Sequence, residues 1–381
     1  MTLSLWLGVG GGYKYNKRDQ THNMAKPISK CNEPYNGIYL DRMSEGYKIQ
    51  PCCLYNEGLV DSGRRKQVYD INNVILANQN LTLTEDTCIN CISRERKGHH
   101  SKRLESLKTK PEKGLVKWDL RPGNTCNLKC AMCNPGNSSK WMEDLKIYEK
   151  YEREYSDSRL ELDWDWIYSR CVDKAEWIYI AGGEPFYMKS VQKFLKDLSN
   201  NPWNCQNTHI TIQTNGISNT PTFLKILSKF DKIHFGISVD GWGEVNEVIR
   251  FPTKHDELLV GIQELIDVNP HRLDYNITVQ AMNLLNIDTL VEEFDSRGFL
   301  LTKNQSEPYT IFNLRNPFYL NINALKPEVI ENSDIKEKHV RGFIEEYKYD
   351  PENNIQMQKY LLELDKARGT NSPKTMPWCF V

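Results

Sequence analysis

Cys126-Asn127-Leu128-Lys129-Cys130-Ala131-Met132-Cys133 sets three cysteines at a CxxxCxxC spacing. The run before it, Leu115-Val116-Lys117-Trp118-Asp119-Leu120-Arg121, reads as a strand, and the stretch from Ser138 through Trp141 and Leu145 to Tyr151 reads as a helix. The thiols therefore fall on the loop between them. Thiolate is a soft ligand that suits iron–sulfur clusters or zinc. A structural zinc takes four protein ligands, usually as two CxxC arms. Three close cysteines with no evident fourth leave one metal position open. A 4Fe–4S cluster with one unliganded iron fits that count; three buried or zinc-bound cysteines are the alternative.

Downstream, strand and helix patterns alternate, the mark of a parallel α/β sheet. The strands read as Val116–Leu120, Trp177–Ile180, His209–Gln213, Ile233–Val239, Asn276–Ala281 and Tyr309–Leu314. Apolar spacing of three and four marks helices at Val191–Leu198, Phe223–Phe230, Leu258–Ile266 and Thr289–Phe294. A polar helical tail follows Lys326, with helices at Ile335–Tyr347 and Ile355–Leu364. In such sheets the site lies at the C-terminal strand ends. Four motifs fall there. Ala181-Gly182-Gly183-Glu184-Pro185 offers two glycines for close backbone approach and an acid for an ammonium group. Thr214-Asn215-Gly216 reads as a ligand contact or as an Asn-Gly turn. Ser238-Val239-Asp240-Gly241 offers a hydroxyl, with Asp240 a contact or a helix cap, and Arg250 shortly after has the planar fork that suits a carboxylate. Val279-Gln280-Ala281-Met282-Asn283 is a fourth contact point, or, at Met282, core. For a substrate acid or base, strand position offers Asp119, Tyr187, Gln213, Arg315 and Tyr319 without choosing among them.

The N-terminal part holds Cys31, Cys52, Cys53, Cys88 and Cys91 among short alternating runs such as Gly37–Leu40 and Tyr47–Ile49, which read as a hairpin too poor in apolar residues to fold alone. A small cysteine-rich core needs a metal staple, and Cys88-Ile89-Asn90-Cys91 is a CxxC knuckle. Iron–sulfur or zinc both satisfy it. Arg94, Arg96, Lys97, Lys102, Arg103, Lys108, Lys110 and Lys113 then form a basic run interrupted by acids, which reads as a solvated helix and linker. A net charge of −1 over 381 residues provides no global field to recruit nucleic acid or anionic membrane. No apolar run approaches a membrane span. Leu3–Val9 makes a poor signal peptide, and residues 1–24 read as disordered or non-native. Eleven cysteines without an export signal point to a reducing, cytoplasmic setting.

The CxxxCxxC loop after a first strand, with Gly182-Gly183-Glu184-Pro185 about fifty residues on, resembles the radical SAM superfamily. Asn124-Thr125-Cys126-Asn127-Leu128-Lys129-Cys130 together with Asn137-Ser138-Ser139-Lys140-Trp141 resembles its SPASM/twitch-type branch. Cys31…Gly46…Cys52 resembles the start of that branch's auxiliary-cluster motif, with one extra residue and placed ahead of the core instead of behind it. Met132 stands where many members have an aromatic residue. The resemblance covers roughly residues 30–325. It implies an open, partial (β/α)6 TIM-like barrel, a small N-terminal cysteine-rich iron–sulfur module and a helical C-terminal tail, divided at 1–24, 25–113, 114–325 and 326–381. It implies that Cys126, Cys130 and Cys133 hold a 4Fe–4S cluster whose open iron chelates S-adenosylmethionine. Reductive cleavage would give a 5′-deoxyadenosyl radical that takes hydrogen from a substrate. Gly182, Gly183 and Glu184 would meet the methionine amino group, Arg250 its carboxylate and Ser238 a ribose hydroxyl, with Asn215 and Asp240 as further contacts. Cys31, Cys88, Cys91 and Cys52 (or Cys53) would hold a second cluster. The implied substrate is a peptide or protein, and the implied electron donor is a flavodoxin or ferredoxin. Modification of a nucleotide or small metabolite is the alternative within this class; a non-catalytic, zinc-stapled binding module is the alternative outside it.

Overall fold

Strand residues alternate between two environments. The computed structural model describes residues 31–43, 46–50, 52, 54, 83–96, 98, 100–108, 114–155, 160–269, 273–300 and 308–381. Within these, eight strands form one sheet: β1 (Gly37–Met43), β2 (Gly46–Gln50), β3 (Lys117–Arg121), β4 (Trp177–Ile180), β5 (His209–Thr214), β6 (Ile233–Ser238), β7 (Leu273–Val279) and β8 (Tyr309–Asn313). Their spatial order is β2-β1-β3-β4-β5-β6-β7-β8. β1 and β2 pair antiparallel, as a hairpin; every other neighbouring pair is parallel.

The sheet thus has seven parallel strands where six were expected from the sequence. The additional strand is β1, which runs parallel to β3 with Tyr39 opposite Asp119 and Asp41 opposite Arg121. Its local pattern had marked only the hairpin. Pairing with β3 gives it the core it lacks alone: Ile38 and Leu40 join Trp118, Leu120, Ile178 and Ile180 in one buried cluster. Residues 1–24 and Cys53 lie outside the described residues.

One sheet face is apolar and covered by helices. α1 (Trp164–Cys171), α2 (Lys189–Leu198), α3 (Pro221–Leu227), α4 (His255–Val268) and α5 (Ile287–Ser296) lie between successive strands from β3 to β8. They bury Ile167, Val191, Phe194, Phe223, Leu258, Ile262 and Leu290 against Ile210, Ile212, Phe235, Ile237 and Ile277. The other face carries Asp119, Tyr179, Thr211, His234 and Asp274, each one residue out of phase with that apolar set. Helix starts follow local chemistry. Thr220 caps α3 by accepting from the Phe223 N–H, with Pro221 at its first turn. The tail forms α6 (Lys338–Glu345) and α7 (Pro351–Arg368). α7 is longer than the apolar spacing indicated, because Asp350 and Pro351 start it and Gly369, at φ 69°, ends it. No helix among the described residues is long and apolar enough to cross a membrane.

α4 lies directly on the turn after β5. A methyl group on Gly261 would overlap the carbonyl oxygen of Gly216, whereas one on Gly342 in α6 would meet nothing within 4 Å. Gly261→Ala should therefore destabilise the fold by about 1–3 kcal/mol through overpacking. Gly342→Ala should stabilise it by roughly 0.5–1 kcal/mol through helix propensity. Denaturant midpoints of the two variants, moving in opposite directions, check the packing of α4.

Candidate active site

The cysteine loop leaves the C-terminal end of β3 and is tied down peptide by peptide. The Lys129 N–H donates to the Phe251 carbonyl at 2.8 Å and the Ala131 N–H to the Ile249 carbonyl at 2.7 Å. The Cys126 N–H donates to Ser139 Oγ at 3.3 Å. Trp141 Nε1 donates to the Cys130 carbonyl at 3.0 Å, and the Tyr360 hydroxyl, from α7, donates to the Ala131 carbonyl at 2.7 Å. Ser138 Oγ donates to the Leu128 carbonyl.

The Gly182-Gly183-Glu184 turn sits against this loop. Both glycines have positive φ, 116° and 55°. The Glu184 N–H donates to the Thr125 carbonyl at 2.9 Å. A Cβ on Gly183 would stand 2.5 Å from the Thr125 carbonyl oxygen and 2.5 Å from Met188 Cε. The close approach that this glycine permits is to the cysteine loop itself. Glu184 is fully buried and accepts from the Phe186 N–H at 3.0 Å, the Thr214 hydroxyl at 2.8 Å and the Asn215 N–H at 2.6 Å. Burial pushes its carboxyl up to about 7, against those three donors and the nearby Arg250 charge. An ionised carboxylate has about four acceptor positions, so three donors leave room for one more. Asn215 Nδ2 donates to Asn127 Oδ1 at 2.8 Å, which joins the third motif to the cysteine loop.

Asp240 and Arg250 form a buried ion pair with Nη2 to Oδ2 at 2.7 Å. The other carboxylate oxygen of Asp240 accepts from the Thr278 N–H at 2.7 Å. Burial raises the Asp240 carboxyl, and the Arg250 charge opposes that rise. Asp240 does not cap the following helix, Glu244–Ile249, which starts at Gly243 without a side-chain cap. Arg250 Nη1 lies 4.0 Å from Cys130 Sγ. Ser238, at the end of β6, pairs in register with Asn276 on the polar face. Gln280, just past β7, is completely buried, and neither atom of its amide has a hydrogen-bond partner among the described residues. Met282 is core.

The three loop thiols act on one another electrostatically, and among the described residues they are not drawn onto a single point. Burial drives the Cys126 thiol far up, and the charges of Glu184, Cys130 and Cys133 add to this. Burial also raises Cys130, and the Arg250 charge opposes it. Bare thiolates are penalised there, while a metal would compensate the charge. A soft, three-thiolate donor set suits an iron–sulfur cluster with an open iron.

A second thiol set lies near the start of β1. Cys31 Sγ is 3.5 Å from Ser106 Oγ, and Thr87 Oγ1 donates to Cys88 Sγ at 3.9 Å. Burial pushes the Cys88 thiol up to about 11, with the charges of Cys31 and Cys91 adding to the rise. Cys91 is buried, and the Arg103 backbone helps to offset the rise of its thiol. Asn90 Nδ2 donates to the Leu54 carbonyl at 3.3 Å, which brings the chain just after Cys52 to the CxxC knuckle. Among the described residues, no three His, Cys, Asp or Glu side chains are drawn onto a single point.

The acid/base candidates divide clearly. Asp119 is buried on β3 and pairs with Arg121 at 3.0 Å. Gln213 accepts from Asn276 Nδ2 at 2.6 Å. Tyr319 is packed among Tyr151 and Tyr360. Tyr187 and Arg315 are exposed. The sequence pointed to the stretch that holds Gln280 but did not identify the roles of Tyr360 or Asn127. Tyr360 lies 229 positions from the loop it holds, so no local pattern carries that contact.

Residues 120–279 match the family model of the Radical SAM superfamily, so the chain carries a domain of that superfamily. No curated protein matches the chain. Among solved structures, native anSMEcpe with bound AdoMet and Cp18Cys peptide is similar at 17% identity and TM-score 0.38, over 65% of this chain and 60% of that one. Streptococcus suis SuiB bound to precursor peptide SuiA is similar at 16% identity and TM-score 0.33, over 68% of this chain and 49% of that one. The chain thus spans less than two thirds of the length of either structure.

The Gly183 contacts yield a direct test. Gly183→Ala forces a Cβ onto the Thr125 carbonyl at a φ that side chains rarely adopt. Before any cofactor is added, the variant should lose about 1–3 kcal/mol of stability. It should also alkylate faster at Cys126 than wild type does. Equal stability and equal alkylation rates would show that the loop does not depend on this contact.

Proposed function

We propose that this chain is a radical SAM enzyme that modifies a peptide or protein. One observation carries the reading: at the C-terminal strand ends, Asn215 bonds both the Glu184 carboxylate and Asn127 of the cysteine loop, Lys129 and Ala131 of that loop bond the peptides flanking Arg250, and Arg250, paired with Asp240, lies 4.0 Å from Cys130 Sγ. A 4Fe–4S cluster with S-adenosylmethionine supplies a radical able to take hydrogen from an unactivated carbon. Cys126, Cys130 and Cys133 are the residues that would hold the cluster. Glu184 has one acceptor position left for the methionine ammonium, and its existing donors hold the carboxylate in place. Arg250, anchored by Asp240, would place positive charge beside Cys130 and the methionine carboxylate. Gln280 brings an unsatisfied amide, the kind of group that pairs with a base edge. Ser238 would meet a ribose hydroxyl, and Asn215 would fix the cysteine loop through Asn127.

Two features support a polypeptide substrate. The stretches 124–130 and 137–141 resemble the SPASM/twitch-type branch, whose members mostly act on peptides. Loops after the strands also expose Met142, Tyr187 and Phe318, apolar side chains suited to peptide contact. Cys31, Cys52, Cys88 and Cys91 are proposed to hold a second 4Fe–4S cluster, with the electrons coming from a flavodoxin- or ferredoxin-type reductant.

Cys130→Ala leaves two thiolates, too few to hold an open-iron cluster. With dithionite and S-adenosylmethionine it should form no 5′-deoxyadenosine; wild-type yield from the variant would overturn the reading. For the second site, anaerobic reconstitution should load about eight irons, and Cys88→Ala with Cys91→Ala should lower this to about four. S-adenosylmethionine cleavage should survive in that double variant. One zinc and four irons in wild type would mark the N-terminal set as a zinc staple.

A further inference from the structure

Arg368, the last residue of α7, is nearly sequestered, with a side chain 1% exposed. Buried guanidinium donors are normally all paired. Here Nε donates to Asp144 Oδ2 at 2.9 Å, but Nη1 and Nη2 find no acceptor among the described residues. The guanidinium lies over Trp141 at 4.8 Å and Phe251 at 5.5 Å. Both rings belong to the frame of the cysteine loop: Trp141 donates to the Cys130 carbonyl, and the Phe251 carbonyl receives the Lys129 N–H. Lys129 Nζ reaches the same Asp144 carboxylate at 2.9 Å. Two buried cations thus share one buried anion. Glu143, 3.2 Å from Lys129, has a side chain 51% exposed, so solvent screens it. Arg250, by contrast, is matched by its own buried Asp240.

An under-paired buried charge is a standing cost unless a group of opposite sign comes to meet it. A 4Fe–4S cluster on three thiolates is anionic and becomes more so on reduction, and nearby charge sets its potential. We propose that Arg368 is the charge-compensating residue of the cluster at Cys126, Cys130 and Cys133, raising its reduction potential and making the docking of α7 part of cluster assembly. This rests on the cluster reading given above.

The test is an anaerobic redox titration of the reconstituted full chain, followed by electron paramagnetic resonance. It is read on the cluster whose signal changes when S-adenosylmethionine is added. Arg368→Met keeps the apolar stem and removes the charge. At a fixed ambient potential its reduced-to-oxidised ratio should fall about tenfold, which is about 59 mV for one electron. Asp144→Asn removes the shared anion and should raise that ratio. Lys366→Met removes an exposed, solvent-screened charge from the same helix and should leave the ratio unchanged. If Arg368→Met does not fold or load iron, Asp144→Asn decides. Unmoved ratios, or Arg368→Met and Asp144→Asn shifting in the same direction, overturn the proposal. Wild type that assembles no cluster overturns the cluster reading instead.

Discussion

A loop that carries three thiols into a buried place must also bury its own peptide groups, and those groups need partners. Here the partners are carbonyls of Ile249 and Phe251, reached by the N–H groups of Ala131 and Lys129. The position of the cysteine loop is therefore set by the path of the chain after β6. That path is held in turn by the Asp240–Arg250 pair and by Asn246, whose side chain accepts from the Asp240 N–H at 3.0 Å. A buried ion pair adds little net stability, because desolvation offsets its attraction. What it supplies here is position: the guanidinium fixed by Asp240 is the one that stands beside Cys130.

The same economy appears at Glu184. Its three donors come from its own turn and from the turn after β5, so one carboxylate joins two strand ends. Gly183 lets that turn close on Thr125, and Gly261 lets α4 close on Gly216. The motifs along the sequence are thus linked contacts of one unit, and a change at one should be felt at its neighbours.

Much of this could be read from residue order. The β4, β5 and β6 runs were legible because buried parallel strands are strongly apolar, and the strand ends then located the Gly-Gly-Glu, Asn-Gly and Ser-Val-Asp motifs. The pairing of β1 with β3 was not legible. Gly37–Leu40 carries a local hairpin pattern, while its partner lies some eighty residues on and leaves no mark on that pattern. The contacts of Tyr360 and Arg368 escaped for the same reason: α7 shows helical spacing, but nothing in it announces which loop it holds. Asp240 read as a ligand contact or as a helix cap; the helix starts at Gly243 without a side-chain cap, and Asp240 is buried beside Arg250 instead.

The register of β1 has a consequence for the two thiol sets. Cys31 precedes β1, whereas Cys126 follows β3, and these strands are parallel. β2 runs back antiparallel, with Gln50 opposite Tyr39, so the chain that reaches Cys52 returns to the Cys31 end. Lys117 Nζ at the start of β3 pairs with Glu33 at 3.2 Å, which fixes that end of the N-terminal unit to the sheet. The two sets therefore lie at opposite ends of the strands, separated by roughly the length of β3, about 16 Å for five residues at ~3.3 Å each. A metal at the N-terminal set is then poorly placed to hold a substrate at the C-terminal strand ends. If the proposed second cluster forms there, stapling the β1–β2 unit is the role its position favours, and that role depends on the β1–β3 pairing.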